Sequence, residues 1–238
     1  MYPSVAICAK AGTGLCVAIF ILCAIASKSV MAQDCPTCDL DWAESAKVDD
    51  VRRLFATGVS PNGRSWSGGR LSFLIAYKNP DPATLEVFFE EAERLQEPLV
   101  LVEGKAPNSI WNTALHHAAR NDHTGMLKLL LEKGLSPHWT DDKYATPLMA
   151  AIAHSQNIET YLILLDAGAD PNARDGLGWT AAHLVARFGR NPDVLDVLFE
   201  HGLVLDAQSD SGLSPLEIAV EYNSQEMQER FRALLEGN

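Results

Sequence analysis

The tetrads Thr113-Ala114-Leu115-His116, Thr146-Pro147-Leu148-Met149, Thr180-Ala181-Ala182-His183 and Ser214-Pro215-Leu216-Glu217 recur at intervals of 33, 34 and 34 residues. Self-similarity at a fixed period of this length predicts a stack of small units, because a single unit of that size cannot bury its own apolar face. Each tetrad leads into a short predicted helix, at residues 117–120, 150–153, 184–187 and 218–221. Longer amphipathic segments follow the first three of these. They carry Met126, Leu127, Leu130 and Leu131, then Tyr161, Leu162, Leu164 and Leu165, then Val194, Leu195, Val197 and Leu198. Apolar residues at i, i+1, i+4 and i+5 form one broad stripe for burial. Gly134, Gly168 and Gly202 end these segments, where glycine takes the left-handed conformation that closes a helix.

The period, the tetrads and the loop Gly168-Ala169-Asp170-Pro171-Asn172 resemble the ankyrin-repeat family. The resemblance implies an all-α solenoid of about six helix-turn-helix units with β-hairpin-like fingers. The units are placed at about 39–62, 63–107, 108–140, 141–174, 175–208 and 209–238, the first and last as caps. In the second unit Ala76, Leu85 and Phe88 are matched to Ala118, Leu127 and Leu130, which leaves about nine residues of insertion between Arg94 and Pro107.

The first 32 residues read differently. Lys10 precedes an uncharged run whose heart is Leu15–Ala26, and Val30-Met31-Ala32 has the small residues of a cleavage site. A secretory signal over 1–32, cut before Gln33, is the expectation, with an uncleaved membrane anchor as the alternative. Either places the rest outside the cytoplasm, as a periplasmic or secreted protein. In that compartment Cys35 and Cys38, in the tail 33–38, are expected to form a disulfide. A C-x-x-C can also serve redox chemistry or a metal, but no thioredoxin-like βαβ unit follows to activate the thiol.

Hydrophobic residues make up 47% of the chain and charged residues 21%, which fits a folded domain rather than a disordered one. The net charge is −12, and loss of the signal would remove Lys10 and Lys28 but no acid. Such a surface repels phosphate backbones and anionic lipid, so neither nucleic acid nor, with the signal cleaved, a membrane is an expected partner. A protein with a basic surface suits it better.

Candidate chemistry is sparse. The family resemblance assigns the tetrad Thr to helix capping and the adjoining His116 and His183 to hydrogen bonds with neighbouring loops. The sequence around Ser65 and Ser67 misses the nucleophile-elbow spacing, and the acidic pairs Asp49-Asp50, Glu90-Glu91 and Asp141-Asp142 read as a solvated face. No catalysis, cofactor, metal or small-molecule substrate is therefore expected.

The resemblance directs attention instead to the fingers and first helices, the surfaces through which ankyrin repeats bind proteins. Two residues before the tetrad the family uses glycine, kept at Gly178 and Gly212 but replaced by Trp111 and Tyr144. Trp139 stands where other units have Ala106, Ala173 and Ala207, and Trp66 lies on the first finger. These aromatics are candidate protein contacts; the competing reading has each ring covering a neighbouring finger. Leu99 and Val100 in the insertion need either a partner or a fold-back onto the stack. The chain is similar to signal-bearing periplasmic ankyrin proteins of Gram-negative bacteria, which implies an adaptor for one protein partner. The alternative is an immunity or inhibitor protein that neutralises a toxic enzyme delivered to the periplasm.

Overall fold

Local signals start and stop the helices where the repeat places them. Thr146 Oγ1 accepts from Met149 N–H at 3.3 Å, Ser214 Oγ from Glu217 N–H at 3.3 Å, and Pro147 and Pro215 fill first-turn positions that need no donor. At the far ends Gly58, Gly134, Gly168 and Gly202 all adopt φ between 85° and 90°. The computed structural model describes residues 38, 40–64, 70–97, 99, 114–155 and 157–237.

Among the described residues the helices form six pairs. They are α1 (Leu40–Ser45) with α2 (Val48–Ala56), α3 (Leu71–Lys78) with α4 (Pro82–Arg94), α5 (Ala114–Arg120) with α6 (Thr124–Glu132), α7 (Pro147–His154) with α8 (Ile158–Asp166), α9 (Ala181–Phe188) with α10 (Asp193–Glu200), and α11 (Pro215–Tyr222) with α12 (Gln225–Glu236). First helices pack on first helices from α1 through α11, and second helices on second helices from α2 through α10. The fold is the expected all-α solenoid.

The core is correspondingly a strip rather than a centre. It runs from Ala43 and Val51 through Phe88, Leu127 and Tyr161 to Met227 and Phe231. Alanines at Ala118, Ala151, Ala182 and Ala219, all fully buried, let first helices approach closely. Polar side chains lock unit to unit. Asn79, itself 1% exposed, donates to the carbonyls of Ala43 (2.7 Å) and Ala46 (2.8 Å), and Asn223 to those of Val185, Ala186 and Gly189. Asp122 accepts from the hydroxyls of Ser155 and Thr160 in the next unit.

One expectation changes. Leu71 opens its helix with an N–H bonded to Gly63 C=O, as Ala181 does with Pro171 C=O, so Ile75 rather than Ala76 holds the place of Ala118. Both Ile75 and Ala76 are fully buried, so burial alone does not separate the two registers. Leu99, a candidate partner contact, is half-buried and packs against the core, which is the fold-back alternative. Val100, Trp66, Trp111, Cys35 and the segment 1–32 lie outside the described residues. Cys38 is 1% exposed and disulfide-bonded.

Candidate protein interface

The fingers are built from short-range hydrogen bonds. Asp141 N–H bonds Ala145 C=O, Asp175 N–H bonds Trp179 C=O, and Ser209 N–H bonds Leu213 C=O, each at 2.9 Å. Inside each turn the first side chain accepts from the backbone: Asp141 Oδ1 from Lys143 and Ala145, Asp175 Oδ1 from Leu177 and Trp179, Ser209 Oγ from Leu213. On the first finger Arg64 and Arg70 form an isolated antiparallel bridge.

Closing so tight a loop needs one left-handed residue. Gly178 (φ 73°) and Gly212 (φ 80°) supply it in two fingers, and Tyr144 supplies it at φ 61° in a third. For a residue with a Cβ that conformation costs about 1–2 kcal/mol. Neighbouring fingers are joined by backbone bonds, Gly176 N–H to Lys143 C=O (2.7 Å) and Asp210 N–H to Leu177 C=O (3.1 Å). The Arg174 guanidinium adds bonds to Gln208 C=O and Asp210 Oδ1, each 2.9 Å. The row is therefore one pre-organised ribbon.

Its exposed surface is apolar in places. Tyr144 is 64% exposed, Leu177 65% and Trp139 46%. One edge of the Tyr144 ring lies close to the Gly176 backbone of the next finger, where an added Cβ would sit 3.3 Å from it. The ring thus satisfies part of each reading, covering a neighbour with one edge and facing solvent with the rest. Leu177 was legible only as a turn residue in Asp175-Gly176-Leu177-Gly178; an apolar side chain at the tip of a polar turn is the signal that could have marked it. Carboxylates of Asp142, Asp175 and Asp210 share the ribbon with Lys143 and Arg174. Trp179, in contrast, is half-buried and stacks on His183 at 6.0 Å.

The histidines serve the scaffold. His116 and His183 are fully buried, and each Nε2 donates to a carbonyl of the next finger, Ala145 (3.0 Å) and Leu213 (3.1 Å). Nδ1 of His183 accepts from Thr180 N–H at 3.1 Å, which fixes a neutral tautomer. Burial pushes the pKa of both rings down. His117 packs against Tyr77 with the rings tilted by 59° and their centres 4.3 Å apart, and burial, followed by the Arg120 charge, lowers its pKa to about 4. Among the described residues no three His, Cys, Asp or Glu side chains converge as metal ligands, and no helix is long and apolar enough to cross a membrane. A cleft of about 390 Å³ between α2 and α4 is lined by Arg52, Phe55, Val87 and Glu90, away from the fingers, with Arg52 and Glu90 paired at 3.7 Å.

Family comparison agrees with this geometry. A model described as ankyrin repeats (3 copies) matches residues 74–175, and one described as ankyrin repeats (many copies) matches 164–219, together more than half of the chain. The chain belongs to the ankyrin-repeat family. Among similar proteins, human SH3 and multiple ankyrin repeat domains protein 2 is 28% identical over 77% of this chain and 10% of its own length. The bovine ankyrin repeat and SOCS box protein 3 is 35% identical over 46% of this chain and 21% of its own. The mouse NF-kappa-B inhibitor delta is 39% identical over 34% and 24%. The chain thus spans from a tenth to about a quarter of these relatives. Ankyrin repeats imply a protein-binding, non-catalytic role, and the exposed ribbon is a surface suited to it.

Proposed function

We propose that this ankyrin protein works outside the cytoplasm as an adaptor that holds one protein partner along the finger edge formed by Trp139, Tyr144 and Leu177. The observation that carries the reading is Tyr144. A glycine would close the finger without strain, yet the chain places there a ring that is 64% exposed. Backbone strain retained at an exposed aromatic is the pattern expected of a binding residue. Bonds between fingers hold the ribbon in place before a partner arrives, which lowers the entropy cost of association. The net charge of −12 favours a partner with a basic surface. The extracytoplasmic setting rests on the signal-like segment 1–32 and predicts Gln33 as the mature N-terminus.

Affinity capture with the exported protein tests the reading, set beside a Trp111→Ala, Trp139→Ala, Tyr144→Ala variant shown to remain folded. One partner retained by the parent and lost by the variant is expected; equal retention by both would move the site elsewhere. A relative named as an inhibitor favours a second reading, in which the bound partner is an enzyme that the protein neutralises. Loss of that enzyme's activity on stoichiometric addition separates inhibitor from adaptor.

A further inference from the structure

The first helices carry a second feature that the finger edge does not use. Arg120, Ala153, Arg187 and Glu221 occupy one repeat position, and His154, Phe188 and Tyr222 occupy the next. Arg120 Nη2 donates to His154 Nε2 of the following unit at 2.8 Å. Arg187 lies with its guanidinium carbon 3.5 Å from the centre of the Tyr222 ring and 5.9 Å from that of Phe188. Phe188 is 43% exposed and Tyr222 51%.

Neither arginine has a carboxylate within ion-pair distance among the described residues. Most arginines of the second helices do: Arg52 with Glu90, Arg53 with Asp50, Arg94 with Glu91 and Arg230 with Asp196. Glu221 and Arg187 both interact with the Tyr222 side chain. In a chain of net charge −12 and 31 acidic residues, Arg120 and Arg187 are thus two cations without a direct ion pair among the described residues, although the Tyr222 hydroxyl stands between Arg187 and Glu221. An imidazole nitrogen orients one and aromatic faces orient the other.

We propose that this first-helix strip binds an extended acidic segment of a partner protein, with carboxylates at Arg120 and Arg187 and the segment's backbone passing over Ala153. A guanidinium has five N–H donors, so one bond to a ring hydroxyl or an imidazole leaves others to fork onto a carboxylate, and little side-chain freedom remains to be lost when they do. The small Ala153 between the two arginines leaves room for a main chain to approach. Exposed Phe188 and Tyr222 offer apolar area beside the charge. A short carboxylate segment meets only local positive charge here, whereas a polyanion of uniform density also meets the acids of the fingers. The strip stands independently of the finger-edge reading, and the partner it describes is dipolar if both sites serve one protein.

The test is fluorescence anisotropy of a labelled peptide of alternating glutamate and alanine, added to the full chain as the cell processes it. Ionic strength is held at about 10 mM, where charges act on one another over about 30 Å. Binding is expected against the overall charge, weakened about tenfold or more by Arg120→Gln with Arg187→Gln. Ala153→Glu, a favourable helix residue on a half-exposed face, is expected to weaken it comparably with no loss of helicity. Tyr144→Gly is expected to leave it unchanged, which keeps failure of this site distinct from failure of the finger edge. Exclusion of the peptide by the parent chain, or equal binding by the double variant, would overturn the proposal. Tighter binding of a single-stranded oligonucleotide of equal charge would overturn the assignment to a protein segment.

Discussion

Replacing Tyr144 by glycine and, separately, by alanine isolates what the ring contributes. Alanine keeps a Cβ at φ 61° and therefore keeps the strain of about 1–2 kcal/mol, while losing the ring. Glycine loses the ring and the strain together, and gives back about 0.5–1 kcal/mol through the greater freedom of the unfolded chain. The residue is 64% exposed, so roughly a third of an aromatic side chain, on the order of 70 Å², is covered by the neighbouring finger. At about 25 cal/mol per Å² that contact is worth at most about 1–2 kcal/mol. The balance leaves Tyr144→Gly within about 1 kcal/mol of the parent, and more stable than Tyr144→Ala by about 0.5–1 kcal/mol. Both variants should lose partner binding alike, since both lack the ring. Urea unfolding followed by circular dichroism at fixed protein concentration gives the order, and partner capture gives the function. A glycine variant no more stable than the alanine one would refute the strain argument; a loss above about 3 kcal/mol in both would make the ring a structural element instead.

Other expectations follow from the same contacts. Gly178→Ala should cost about 1–2 kcal/mol, because φ 73° disfavours a Cβ and the Asp210 and Arg174 side chains occupy the space it would take; the urea midpoint reads it. Asn79→Ala leaves the buried carbonyls of Ala43 and Ala46 without their donor, at about 1–3 kcal/mol, and should speed amide exchange in α1 before any other helix. Acid should weaken the stack through its buried histidines. The folded pKa values of His116, His117 and His183 lie below the ordinary 6.5, so the unfolded chain takes up protons first. Stability is then complete above about pH 6.5 and falls as pH drops from there through about 4. Urea midpoints taken at pH 7.5 and pH 5 check the sign, and an unchanged midpoint would contradict neutral buried rings.

How far the chain could be read depends on the reach of each signal. Caps such as Thr146 and Ser214, closing glycines such as Gly168 and the apolar stripes of α6, α8 and α10 act within a few residues of themselves. Helix pairs and their period were therefore plain from the residues. The place of Tyr144 was readable too, because the same turn recurs with glycine at Gly178 and Gly212. The register of Ile75 was not, since it turns on the length of a connection rather than on residue type. Leu99 was ambiguous for a similar reason, as an apolar side chain in a loop does not say what covers it.

By itself, then, the sequence determined the repeat, the helix pairs and the positions where a finger departs from glycine, because each rests on short-range stereochemistry repeated along the chain. Only the tertiary structure decided that the Tyr144 ring is mostly uncovered, that Leu177 stands at a fingertip and that Arg187 lies on Tyr222. Those facts depend on contacts between units 30 or more residues apart. Solvent exposure and ring stacking are set by what the neighbouring unit brings, and no local pattern of residues specifies that.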